Sequence, residues 1–116
     1  MGDTVMLALP VKRDVPDGWL TEAIYKTGFD YLNRGLMNEC EVTLRYGLRG
    51  GALDVVAFER MLWHTLQDRE TTVEDLALTI ASQLALVCKD WFQVQLVAEV
   101  PRAPAKLTVI VKRSRG

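Results

Sequence analysis

The chain has 116 residues, 49% of them hydrophobic and 25% charged, a size and composition expected for one domain over residues 1–116 with a modest core. Its 14 basic and 15 acidic residues leave a formal net charge of −1, which argues against nucleic acid or another polyanion as a partner. No apolar run approaches the ~20 residues of a membrane span and no charged-then-apolar leader opens the sequence, so no membrane association and a cytoplasmic location are expected.

In chain order, Thr4 to Val11 is an extended apolar run, interrupted as a central strand by Pro10. Pro16, Asp17 and Gly18 form a turn. From Trp19 to Leu36 the spacing of Leu20, Ala23, Ile24 and Tyr31 predicts a helix, weakened in its middle by Gly28 and Asp30 and closed by Asn38. Cys40, Val42, Leu44 and Tyr46 then alternate with Glu41, Thr43 and Arg45 as a strand, which Gly47, Gly50 and Gly51 end as a flexible joint.

A helix is predicted from Leu53 and Asp54, with Leu53, Val56, Ala57, Met61, Leu62 and Leu66 on its apolar side. After the polar connection Asp68 to Glu70, a second helix covers Thr71 to Lys89. Leu76, Ala77, Ile80, Ala81, Leu84 and Cys88 form its apolar stripe. Phe92, Val94, Leu96, Ala98 and Val100 alternate with Gln93, Gln95, Val97 and Glu99 as a strand, and Leu107, Val109 and Val111 repeat the pattern after a Pro101 to Pro104 turn. The closing KRSRG reads as a solvated end. Together these elements predict an α+β fold, helices on one face of a mainly antiparallel sheet.

Cys40 and Cys88 fall on apolar positions, and with His64 alone they make a poor zinc set, so neither a metal nor another cofactor is expected. Gly47 to Gly51 lacks the spacing of a phosphate loop. Trp19, Trp63 and Trp91 are too scattered for a stacking platform and read as core or interface residues.

The stretch Val73-Glu74-Asp75-Leu76-Ala77-Leu78-Thr79-Ile80-Ala81 resembles the helix-opening signature of the dihydroneopterin aldolase family. Val100-Pro101-Arg102-Ala103-Pro104 resembles that family's Lys-Pro-x-Ala-Pro turn, and Leu53-Asp54-Val55 its Asp-Tyr landmark. Together these span about residues 39 to 113, whereas Lys12 to Asn38 does not follow the pattern. The resemblance implies a T-fold: a four-stranded, mainly antiparallel sheet with two antiparallel helices on one face. It also implies a substrate-binding set of Glu74, Val73, Val55 and Val100. In such proteins the glutamate carboxylate accepts two parallel hydrogen bonds from the 2-amino group and ring N–H of a pterin, and backbone amides at the helix start add contacts.

A competing reading uses the same residue. Thr71-x-x-Glu74 is a capping-box pattern in which Glu74 would bond back to its own first turn, while Thr72-x-x-Asp75 offers a similar but weaker cap that would leave Glu74 free. The family's catalytic lysine position is Val100 and its tyrosine position Val55, and valine relays no proton. Lys106, Tyr46 and His64 are the nearest candidates for substitute groups, and the final hairpin is shorter than in relatives. Two functions follow: a pterin-binding protein of the aldolase type that cleaves a dihydropterin side chain, or a non-catalytic T-fold paralogue that binds a pterin or purine or serves as an assembly subunit. Val97 and Ile110 place apolar side chains on the uncovered sheet face, and free strand edges invite pairing. T-fold proteins join sheets around a ring, with ligand sites between subunits, so a homo-tetramer or a homo-octamer is expected.

Overall fold

The computed structural model describes residues 8–9, 14–49, 51–67 and 69–114. Period-two alternation sets the sheet. In β3 (Leu36–Tyr46) the residues Asn38, Cys40, Val42 and Leu44 turn inward, and in β5 (Phe92–Glu99) Phe92, Val94, Leu96 and Ala98 do the same. Two further strands flank this pair, β2 (Ala23–Asn33) beside β3 and β6 (Lys106–Arg113) beside β5. All neighbours in the order β2-β3-β5-β6 are antiparallel. A small separate sheet pairs β1 (Ala8–Leu9) with β4 (Ala52–Leu53). The rest of the strand expected over Thr4 to Val11 lies outside the described residues.

Helices α1 (Val55–Leu66) and α2 (Val73–Val87) cover one sheet face. The expected α2 stripe is in place: Leu76, Ala77, Ile80, Ala81 and Leu84 are all buried, while Cys88 caps the C-terminus, half-buried. Each leucine or isoleucine enclosed in this way contributes about 1.5–3 kcal/mol. On α1 the buried face is Phe58, Met61 and Leu62, whereas Val56, expected inside, is exposed. Phe58 meets the Tyr25 ring edge-on at 5.8 Å, which anchors α1 over β2.

The helix expected over Trp19 to Leu36 is instead strand β2. Tyr25, Thr27 and Phe29 alternate with the exposed Ile24, Lys26, Gly28 and Asp30, and Tyr31 is fully buried. Aromatic and β-branched residues at every second position suit a half-buried strand better than a helix. The strand turns back through Arg34 and Gly35, whose φ angles of 52° and 72° give the two-residue hairpin turn with both central residues left-handed. Asn38 therefore closes nothing. It lies buried in β3 opposite Tyr31, its side-chain amide donating to the Leu36 carbonyl at 2.8 Å.

Gly47 is a point of close packing, not a flexible joint. Its N–H donates to the Trp91 carbonyl at 3.1 Å, and a Cβ there would stand 2.2 Å from Asp90 Oδ2. Gly50 lies outside the described residues. The basic end also departs from expectation, because Lys112 and Arg113 belong to β6. Arg113 stacks over the Phe92 ring at 4.8 Å and donates to the Cys88 and Asp90 carbonyls. No described helix is long and apolar enough to cross a membrane.

Candidate functional site

The start of α2 shows whether Glu74 caps its own helix. Thr72 is the N-cap: its Oγ1 accepts from the Asp75 N–H at 3.1 Å, and its carbonyl accepts from the Leu76 N–H at 3.0 Å. Thr71 turns its hydroxyl to the Thr72 carbonyl, so the Thr71–Glu74 box does not form. Glu74 is exposed, and among the described residues its carboxylate accepts no hydrogen bond. Val73 and Glu74 occupy the first two helical positions, where backbone N–H groups have no intrahelical acceptor and the helix dipole is positive. The Val73 side chain itself is in the core, which leaves only its backbone to face a ligand.

The β2–β3 hairpin holds this helix start in place. Thr71 N donates to the Leu32 carbonyl at 2.9 Å, the Asn33 side chain to the Thr71 carbonyl at 2.8 Å, and Gly35 N to Glu70 Oε1 at 2.7 Å. Tyr31, buried beside them, donates its hydroxyl to the Glu99 carbonyl at 2.7 Å. Burial raises the Tyr31 phenol above its ordinary pKa, with the Cys40 thiol and the Glu74 and Glu99 carboxylates adding to the effect. Next to Glu99, Val100 opens a turn in which Ala103 N donates to Val100 O at 3.2 Å, and Arg102 takes a left-handed φ of 64°. Proline followed by a left-handed residue is the type II arrangement. Glu74, Val73 and Val100 thus share one end of the sheet.

Val55 does not join them. It is the first residue of α1, whose N-cap Asp54 accepts from the Ala57 N–H at 3.1 Å. That start lies near Tyr46, whose hydroxyl accepts from Leu53 N at 3.4 Å, at the opposite end of the sheet. A 12-residue helix sets its two ends about 18 Å apart. Within one chain the structure therefore brings together three of the four expected residues.

Val55 lines a different groove, of about 570 Å³, with Tyr25, Glu59, Arg60, Trp63 and His64. Tyr25 donates its hydroxyl to Glu59, and burial, followed by that bond, raises its phenol. A second groove of about 460 Å³ continues along α1 past Leu62 and Leu66 and shares Glu59 and Trp63 with the first. Trp63 is 67% exposed and Trp19 64%, so neither is a core residue. A helical spacing over this segment passes over Tyr25 and puts Tyr31 on the wrong element; the alternation of both with Thr27 and Phe29 is the signal of the strand.

Of the substitute groups, Lys106 sits on the uncovered sheet face opposite Glu99 in register, where it lines a third cleft of about 470 Å³ with Asp30, Glu39 and Glu41. The helices lie on the other face, so it is turned away from Glu74. Tyr46 stays at the α1 start, and only His64 shares the Val55 groove. Burial, then the Glu41 charge, pushes the Cys40 thiol up to about 12, which leaves no thiolate for nucleophilic chemistry near neutral pH. Among the described residues no group of three or more His, Cys, Asp or Glu is placed to hold a metal ion.

An antiparallel sheet in the order β2-β3-β5-β6 with two helices on one face is the T-fold type of α+β architecture. The chain is similar in structure to archaeosine synthase QueF-Like, solved as a crystal structure in the apo form, with a TM-score of 0.69 over 82% of this chain and 94% of that one. At 19% identity the likeness is one of fold. No family model matches the sequence, and no curated protein matches it.

Proposed function

We propose that the chain is a pterin- or purine-binding T-fold protein in which Glu74 anchors the heterocycle and no aldolase proton relay operates. The observation that carries this reading is the Glu74 carboxylate left free at the α2 start while Thr72 does the capping. A carboxylate beside unpaired first-turn N–H groups matches the edge of a pterin or guanine, which offers two parallel donors next to an acceptor. The neighbour of like fold is an archaeosine synthase, which supports a purine-type ring as readily as a pterin. Val55 and Val100 stand where the aldolase resemblance expects tyrosine and lysine, and they lack any group to carry a proton.

The protein works as a homo-oligomeric ring, a tetramer or a pair of stacked tetramers, with the ligand between protomers. Separation of Val55 from Glu74 within one chain supports that placement, since a site containing both needs two chains.

The test is titration of the purified protein with neopterin, biopterin and guanine, followed by incubation with dihydroneopterin and an assay for glycolaldehyde. Binding without product is expected. Loss of a charged two-point contact is worth about 1.5–3 kcal/mol, so Glu74→Ala weakens binding by about 10- to 150-fold. Unchanged affinity in that variant refutes the anchor. Glycolaldehyde release would refute the absence of a relay and direct attention to Tyr25 and His64, the two titratable ring side chains in the Val55 groove.

A further inference from the structure

The strand register lays out the helix-free face of the sheet in rows. One row runs Ile24, Arg45, Gln93, Lys112 across β2, β3, β5 and β6, and the next runs Lys26, Thr43, Gln95, Ile110. Residues directly opposite in an antiparallel pair share a face. Leu44, Val94 and Tyr25 turn toward the helices, so both rows lie on the bare side.

Charge is sorted along this face. Asp30, Glu39, Glu41 and Glu99 gather with Lys106 at the end that carries the β2–β3 turn. Lys26, Arg45 and Lys112 gather toward the other end, where Arg45 Nη2 donates to Glu22 Oε2 at 2.6 Å. Arg45 is the centre of this basic end, and its hydrogen bonding is incomplete. The Arg45 Nε–H is buried, and among the described residues no acceptor meets it. A buried donor without an acceptor is unfavourable, the more so on a charged group.

The neighbours of Arg45 are donors too. Gln93 lies beside it and Lys112 beside Gln93, so the two cationic residues stand about 10 Å apart at their Cα atoms with an amide between them. Their flexible stems can bring both heads together above Gln93. Lys26 stands diagonally across from Arg45, about 7–8 Å away, and the buried Thr43 lies opposite it in register. Glu22 engages Arg45 from the β2 side, which leaves the side toward Gln93 and Lys112 for another acceptor.

We propose that this end of the helix-free face binds a phosphate group between Arg45 and Lys112, above Gln93, with Lys26 adding to the attraction. A phosphate offers oxygens to the Arg45 Nε–H, the Gln93 amide and the Lys112 ammonium at once, the guanidinium acting as a fork and the ammonium as a point charge. Donors converging from different directions suit a tetrahedral group better than a flat carboxylate. The carboxylates at the far end of the face repel the same anion, which confines it to the basic end. The site lies on the face away from the helices and at the end of the sheet away from Glu74, so neither it nor the heterocycle reading rests on the other.

The phosphate can be a free ion or the head of a small ester, and phosphorus NMR at constant ionic strength tests both. Inorganic phosphate and phenyl phosphate are titrated separately with the purified protein, and saturable line broadening reports binding. Binding of both supports a site for phosphate esters, binding of inorganic phosphate alone supports a site for the free ion, and binding of neither overturns the proposal. Arg45→Gln weakens phosphate by about tenfold or more, and Lys112→Gln, with its exposed head, by about two- to fivefold. Lys106→Gln, at the acidic end, leaves binding unchanged. Glu22→Gln removes the competing carboxylate and tightens binding, a gain that damage to the sheet could not produce. Equal broadening by wild type and Arg45→Gln overturns the site, as does a Glu22→Gln variant that binds no tighter than wild type.

Discussion

Replacing Thr72 and Glu74 separately by alanine measures which of them the α2 helix uses. Thr72→Ala removes the oxygen that accepts from the Asp75 N–H at 3.1 Å, and loss of such a cap costs about 1 kcal/mol. Glu74→Ala removes a charge from the first turn, a loss of about 0.3–1 kcal/mol, and gains about 0.4 kcal/mol of helix propensity. Its net effect therefore stays within about 0.5 kcal/mol. For a chain of 116 residues the unfolding entropy is about 0.24 kcal/mol per degree, so 1 kcal/mol corresponds to about 4 °C in Tm. Thermal unfolding followed by far-UV circular dichroism, at one fixed protomer concentration because assembly shifts Tm, should show Thr72→Ala about 4 °C lower and Glu74→Ala within about 2 °C of wild type. If the glutamate variant falls as far as the threonine one, Glu74 is a structural cap in solution and its assignment as a free ligand anchor fails. If Thr72→Ala is silent, other groups cap the helix and the Glu74 carboxylate is not free by virtue of Thr72.

Gly47→Ala should destabilise by about 2–3 kcal/mol, as overpacking does. Its methyl would meet Asp90 Oδ2 at 2.2 Å and Trp91 Nε1 at 2.7 Å, and the Asp90 carboxylate is already bound by the Arg49 and Trp91 amides. Urea titration reads this as a lower midpoint at unchanged slope, and a loss below about 0.5 kcal/mol would mean the strand ends have room to part. Cys40, with its thiol pushed up to about 12, should resist a thiol reagent at pH 8 until the sheet opens, while the half-buried Cys88 labels first. Labelling of Cys40 at the rate of a free thiol would contradict its place in the core.

Much of the fold was legible where a single periodicity ran unopposed. The α2 stripe from Leu76 to Leu84 and the alternation through β5 needed no tertiary information, because each segment satisfies only one template. β2 satisfied two. Leu20, Ala23, Ile24 and Tyr31 fit a helical spacing, and Gly28 and Asp30 then looked like flaws in a helix when they are the outward side of a strand. What decides the matter is the partner. Tyr25, Thr27, Phe29 and Tyr31 lie directly opposite Leu44, Val42, Cys40 and Asn38, and that pairing gives a row of aromatic and β-branched residues something to cover. α1 shows the same limit in reverse: a helix was correctly expected, but Phe58 occupies the inward position that the spacing assigned to Val56.

The site was half legible for a related reason. Glu74 stood out because a motif surrounds it, yet two cap patterns one residue apart overlap there. Sequence alone favours the Thr71 box, with Thr72-x-x-Asp75 the weaker cap. The hairpin reverses that order: the Thr71 N–H is committed to Leu32 and its carbonyl to Asn33, which leaves Thr72 as the residue where the chain turns into the helix. The same hairpin exists only because β2 is a strand, so the misread segment is what frees the carboxylate. The substitute groups illustrate the point from the other side. Lys106 lies close in sequence to the Val100 turn, but strand parity sends it to the helix-free face, whereas Tyr25, far away in sequence, shares a groove with Val55. A replacement for a missing relay has to be sought among residues that share a face and a groove, and proximity along the chain is a poor guide to either.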